Sequence, residues 1–194
     1  SEKLDYAMSI TGDDVNENTI AFGTVKNTTT TKTFTIKNDG GNALTGVSVV
    51  SSDAEVFTVS DIGFDIAVGE TKDITVTFVK GVDGDYSETI TVSQADVATP
   101  LTLTVTGTYV SPTPATMDVT LDATAVGETV AFGKVGRATT KTFTVANAGE
   151  TTLSATIAKS GTNADCFTLS ANSIEVSGGA SETFTITFDA EEYD

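Results

Sequence analysis

Histidine and tryptophan are absent from this 194-residue chain, cysteine occurs once, methionine twice and proline three times. Without histidine, Ser-His-Asp and Cys-His catalysis in their usual forms are excluded, as is every histidine-containing metal site. A single cysteine, Cys166, can form neither an internal disulfide nor a thiolate metal site. It stands beside Phe167 in an apolar stretch and reads as a small core residue. Carbohydrate binding usually needs exposed aromatic platforms; tryptophan is missing and most of the ten phenylalanines fall on the apolar phase of an alternating pattern. Basic residues are scarce, 10 Lys and Arg against 27 Asp and Glu, for a net charge of −17. The deficit is spread, with −10 over residues 1–111 (6 basic, 16 acidic) and −7 over residues 112–194 (4 basic, 11 acidic). Phosphate binding needs clustered cations, so this balance argues against nucleic acid and against anionic membrane surfaces. No stretch approaches the roughly 18 apolar residues of a membrane helix. G-x-S-x-G and P-loop motifs are missing, and no charged-then-apolar leader follows Ser1, so any signal peptide lies outside this sequence.

Threonine is abundant, 38 residues or nearly a fifth of the chain. It is β-branched, favours strands, and turns a hydroxyl to water. Apolar residues alternate with polar ones throughout: Phe34 and Ile36 against Thr33, Thr35 and Lys37; Ile74, Val76 and Phe78 against Asp73, Thr75 and Thr77; Leu101, Leu103 and Val105 against threonines. Period-two patterning predicts half-buried strands. Turn residues separate the runs, at Asn38–Asn42, Val68–Glu70, residues 81–85 and residues 98–100. Strands are expected near residues 4–11, 18–22, 31–37, 44–50, 56–59, 71–79, 86–93 and 101–109, the first two either separate or parts of one edge strand.

The chain repeats itself. Residues 21–25 (AFGTV) recur as 131–135 (AFGKV), 32–38 (KTFTIKN) as 141–147 (KTFTVAN), and 74–78 (ITVTF) as 184–188 (FTITF). The expected architecture is all-β, two tandem immunoglobulin-like β-sandwiches of which the second lacks its last strands. The expected divisions are a complete sandwich over 1–110, a proline-containing linker over 111–115, and a C-terminally incomplete sandwich over 116–194. The strand near residues 153–159 is then expected to show an open edge, with the second copy completed by a neighbouring chain or poorly ordered near its end; the alternative, compatible with either, is that the sequence is a piece of a longer protein.

These residues resemble the abnormal-spindle/hydin (ASH) type of immunoglobulin-like repeat, similar to the choice-of-anchor D domains of bacterial surface proteins. The resemblance rests on Phe22, Gly23, Val25, Asn38, Gly40 and Leu44, and on Phe132, Gly133, Val135, Asn147, Gly149 and Leu153 in the second copy. The proline that usually follows the T-x-F strand in that family is absent from Val79-Lys80-Gly81 and Asp189-Ala190-Glu191. The resemblance implies a seven-stranded sandwich, tandem repetition in larger surface or cytoskeletal proteins, and no catalytic residues.

Asp83-Gly84-Asp85-Tyr86 is the strongest local motif. Asp83 and Asp85 are candidate calcium ligands, with Asp53, Glu55 or Glu88 as companions, since a hard cation takes carboxylate oxygens. The alternative is a turn before a strand, with Tyr86 bonding nearby backbone as a tyrosine corner. Tyr6, Tyr109 and Tyr193, near the module ends, are expected to pack at junctions. Asn27-Thr28-Thr29 is formally a glycosylation acceptor. The functional expectation is a non-catalytic structural or adhesion spacer of a secreted or cell-surface bacterial protein, extracellular or periplasmic. It would carry no obligatory cofactor and would meet protein partners, including its own copies through the second domain. The alternatives are a protein- or glycan-binding module using end loops or an edge strand, and a cytoskeletal or ciliary scaffold.

Overall fold

The computed structural model describes residues 5–26, 29–79, 81–127, 129–134 and 136–189. The chain divides into two compact units, Ser1–Ser111 and Pro112–Asp194.

In the first unit the strands are β1 (Met8–Thr11), β2 (Thr19–Val25), β3 (Thr29–Asn38), β4 (Leu44–Ser51), β5 (Phe57–Val59), β6 (Gly63–Ile66), β7 (Thr71–Val79), β8 (Gly84–Ser93) and β9 (Leu101–Tyr109). One sheet has the order β1-β3-β7-β5, the other β2-β9-β8-β4-β6. All pairs are antiparallel except β2 with β9, which runs parallel from Thr19 opposite Thr104 to Val25 opposite Tyr109. The alternation fixes which face is buried: Phe34, Ile36, Ile74 and Val76 from one sheet meet Val47, Val49, Ile90, Val92, Leu103 and Val105 from the other, all fully buried. Two sheets that each bury one face make a sandwich.

One sequence expectation is corrected here. Residues 4–11 and 18–22 are not parts of one edge strand: β1 pairs with β3 and β2 with β9, in different sheets. The chain crosses between the sheets over residues 12–18, where Glu17 and Asn18 adopt positive φ. Tyr109 lies in the core of the first unit and Tyr6 packs against it; Tyr193 lies outside the described residues, as do Asn27 and Thr28 of the glycosylation pattern.

The second unit contains β10 (Met117–Leu121), β11 (Thr124–Ala125), β12 (Thr139–Asn147), β13 (Leu153–Thr156), β14 (Phe167–Leu169), β15 (Ser173–Val176) and β16 (Ser181–Phe188), with one 3₁₀ turn at Ala164–Cys166. Its larger sheet has the order β11-β10-β12-β16-β14. The run β10-β12-β16-β14 repeats β1-β3-β7-β5. Its other sheet is β13-β15, the counterpart of β4-β6. Among the described residues no strand stands where β2, β9 and β8 stand in the first unit. Cys166 is buried, as a small core residue should be.

The repeated N-x-G motif is a structural device. Asn38, 0% exposed, donates through Nδ2 to the carbonyls of Asn42 (2.9 Å) and Ile66 (3.0 Å) and accepts from Gly40 N–H (3.0 Å). Asn147, 1% exposed, donates to Thr151 (2.7 Å) and Val176 (3.0 Å) and accepts from Gly149 N–H (3.0 Å). One buried amide thereby ties the turn to the facing sheet and leaves none of those backbone groups unpaired. Glycine is required two residues on because another segment lies against it: a Cβ at Gly40 would stand 2.5 Å from the Asp5 carbonyl oxygen, and one at Gly149 2.0 Å from that of Pro114. Thr113 and Ala115 dock beside the same turn, Thr113 N–H donating to Glu150 Oε2 (2.8 Å) and Ala115 N–H to Thr151 Oγ1 (2.8 Å).

Candidate functional site

Asp83 and Asp85 each serve the local fold. Asp83 Oδ1 accepts from Ser111 N–H at 2.6 Å, fastening the second residue after β9. Hydrogen bonds from Ser111, hydroxyl first and backbone N–H second, hold its carboxyl below the usual range. Asp85 Oδ1 accepts from Thr108 Oγ1 across the strand pair at 2.6 Å. Asp53 Oδ1 accepts from Glu55 N–H (2.9 Å), and Glu88 Oε2 from Ser52 Oγ (2.6 Å). Among the described residues no three His, Cys, Asp or Glu side chains gather to hold a metal ion. Tyr86 hydroxyl donates to the Val82 carbonyl at 2.8 Å, the tyrosine-corner arrangement.

The second unit holds a different kind of site. In the first unit, Ser48–Ser51 of β4 pair with β8, Ser48 opposite Ser93 and Ser51 opposite Ile90. Backbone bonds fix the counterparts. Val49 N–H donates to Ile62 O at 3.2 Å and Ile157 N–H to Asn172 O at 2.9 Å, so Val49 corresponds to Ile157 and Ser48–Ser51 to residues 156–159. Strand β13 ends at Thr156, inside that stretch. A strand persists where it has a partner, and the four positions that β8 holds in the first unit are here an open edge.

The other side of the gap behaves alike. AFGTV is strand in β2, whose partner is β9; residues 131–134, the described part of its near-copy over 131–135, are not strand. Side-chain packing still holds it. Phe132 lies 5.6 Å from Phe167 and 6.0 Å from Phe188, centroid to centroid, as Phe22 lies 5.6 Å from Phe57 and 5.8 Å from Phe78. Gly133, at φ 74°, keeps the left-handed bend of Gly23 at φ 67°, which in β2 is a bulge between Ala21 and Thr24.

Between these edges lies an apolar groove of about 480 Å³. Its floor is Phe143, Phe184 and Ile186 of the larger sheet; Phe132 and Phe167 form one wall, and Ala158 and Lys159 the open edge. Lys159 is the one charged residue of the lining; no carboxylate contributes. Ile186, Phe188, Phe167 and Leu153 are partly exposed, whereas their counterparts Val76, Phe78, Phe57 and Leu44 are at most 1% exposed. No motif pointed to this groove. The signal was the mismatch between the two copies.

Residues 14–108 match the family model described as the HYDIN/CFA65/VesB-like Ig-like domain. The first unit therefore has an immunoglobulin-like fold of the kind that model describes. Among solved structures, the chain is similar to the ASH/PapD-like domain of human CEP192 (16% identity, 54% of this chain, 85% of that one, TM-score 0.45). It is also similar to a protein of unknown function from Porphyromonas gingivalis W83 (14%, 95% and 84%, TM-score 0.41), and to the E. coli chaperone DraB (8%, 92% and 84%, TM-score 0.42). With TM-scores below 0.5, these likenesses add nothing to the family match. No curated protein matches the chain. Among the described residues no helix is long and apolar enough to cross a membrane.

Proposed function

We propose that this chain is a non-catalytic pair of tandem immunoglobulin-like modules, divided at residues 111–115, that serves as a structural or adhesion spacer in a secreted or cell-surface bacterial protein. One observation carries the reading: the polar side chains that chemistry would use are committed to the fold. Asn38, Asn147, Asp83, Asp85 and Tyr86 each hold a turn or a strand pair. Acidic, threonine-rich outer faces suit an exported protein, keeping it soluble and monomeric. The test is replacement, in the full-length protein, of residues 1–111 by an unrelated sandwich of equal length. A spacer predicts unchanged surface display and unchanged adhesion. Loss of adhesion with display intact would overturn the reading.

A second reading has its own observation. The open edge at residues 156–159 and the apolar groove beside it favour a protein-binding role for the second unit. Alanine substitution of Phe132 and Phe167 would then reduce partner capture without altering the first unit.

A further inference from the structure

We propose that two copies of this chain exchange their β1 segments, so that residues 5–14 of each dock on β3 of the other. The hinge is the tight turn at Asn16–Thr19. Exchange would join neighbouring copies at their first units, whichever reading of function holds.

The backbone of residues 5–14 is fastened to β3 and the turn that follows it. Within β1, Met8 to Thr11 stand opposite Asn38 to Thr35, and β3 is the one strand beside β1 in its sheet. Ahead of β1, the carbonyl oxygens of Asp5 and Ala7 accept from Gly41 N–H and Asp39 N–H, both at 3.0 Å. The Ser9 hydroxyl donates to Asp39. Behind β1, Asp14 accepts from Lys32 Nζ (2.9 Å) and Thr33 N–H (3.0 Å). From Asn18 onward the chain belongs to the other sheet. The Asn18 carbonyl accepts from Thr104 N–H at 2.8 Å, and β2 pairs with β9. Residues 15–17 alone separate the two attachments.

That hinge is short and strained. Asn16 and Thr19 exchange both backbone bonds, at 2.9 and 2.8 Å. They close a two-residue turn in which Glu17 (φ 47°) and Asn18 (φ 60°) are both left-handed. Positive φ at both central positions is the type I′ turn, which prefers Asn-Gly or Asp-Gly. Asn tolerates this region; Glu is not among the residues enriched there. A short hinge under strain invites exchange. Extending it ends the strain, while every contact of residues 5–14 is made again on the other copy. Extended, residues 15–18 span roughly 13 Å, more than the ~10 Å between packed sheets. Charge sets the condition. Residues 1–111 carry −10, so copies repel at low salt and exchange should rise with ionic strength.

Two forms of the full 194-residue chain test this, both with Cys166→Ala so that no other thiol is present. One carries Thr11→Cys, the other Thr35→Cys and a mass tag. These positions face each other across β1 and β3. A chain holding both substitutions is the reference. In dilute solution dibromobimane, which bridges adjacent thiols, should link its two cysteines within one chain. Mixed at ~0.5 mM in ~0.5 M salt, the two single forms should yield a bridged pair containing one of each. The yield should rise with concentration and with salt. Glu17→Asn with Asn18→Gly installs the preferred turn pair. It should lower the yield at least ~10-fold and leave both unfolding transitions in place. Absence of the mixed pair while the reference bridges would overturn the proposal. So would pairs of like chains only, which would mean copies lying side by side without exchange. An equal yield from the turn variant would overturn the hinge. A reference chain that fails to bridge would overturn the β1–β3 docking that exchange requires.

Discussion

Replacing Asn38 by alanine would strip a donor from the carbonyls of Asn42, Ile66 and Ala67 and an acceptor from the Gly40 N–H at once. Each such loss leaves a desolvated group unsatisfied, so Asn38→Ala should destabilise the first unit by about 3 kcal/mol, read from the denaturant midpoint of its transition. Asn147→Ala should do the same to the second unit, and neither should move the other's midpoint. Acid should act through three carboxylates of the first unit. Asp14, bonded to Lys32 and Thr33, Asp39, bonded to Lys37 and Ser9, and Asp83, bonded to Ser111, all titrate below the ordinary 3.8 in the folded state. A lowered folded value means that the stabilisation is present above the unfolded value and is lost as pH falls through the folded one. The transition of the first unit should therefore be flat with pH above about 5 and drop steadily below about 4. Asp83→Asn should reduce that slope. An unchanged slope would mean that the Ser111 contact contributes nothing to folding.

At the scale of elements, the two copies form a controlled comparison. AFGTV and AFGKV differ at one residue, yet the first is a strand and the described part of the second, residues 131–134, is not, because among the described residues only the first has a neighbour in its sheet. Hydrogen exchange should read this directly: amides of residues 19–25 should exchange about 100-fold more slowly than those of residues 130–134. Most of the sandwich was legible as alternation, since Phe34-Thr35-Ile36 or Leu103-Thr104-Val105 can bury one face only as strand. Strands β6 and β15 were not, because GFDI and SIEV are too short for a period to emerge and exist through pairing with β4 and β13. The change of sheet between β1 and β2 was equally silent, being decided by left-handed residues in a polar stretch. The calcium candidates were legible as a motif but not as contacts, for sequence does not reveal that Ser111 and Thr108 stand opposite Asp83 and Asp85. The groove was legible only by subtraction of one copy from the other.

For the whole molecule, the difference in cores sets the order of unfolding. Among the described residues, the first unit buries 20 hydrophobic residues in one cluster and the second four. Calorimetry should show the second unit melting first. Phe34→Ala, at a fully buried site, should lower only the upper transition, by about 3–5 kcal/mol.

The parallel pairing of β2 with β9 has a mechanical consequence. Tension carried through the first unit, once β1 has peeled from β3, draws β2 back by its leading end and β9 forward by its trailing end. The two strands slide past one another in shear, and the bonds from Thr19–Thr104 to Val25–Tyr109 carry the load together instead of breaking in turn. The second unit has no such clamp among its described residues. Stretched between its ends in optical tweezers, the chain should lengthen first by the extension of the second unit at low force, and the first should hold until its clamp ruptures in a single step.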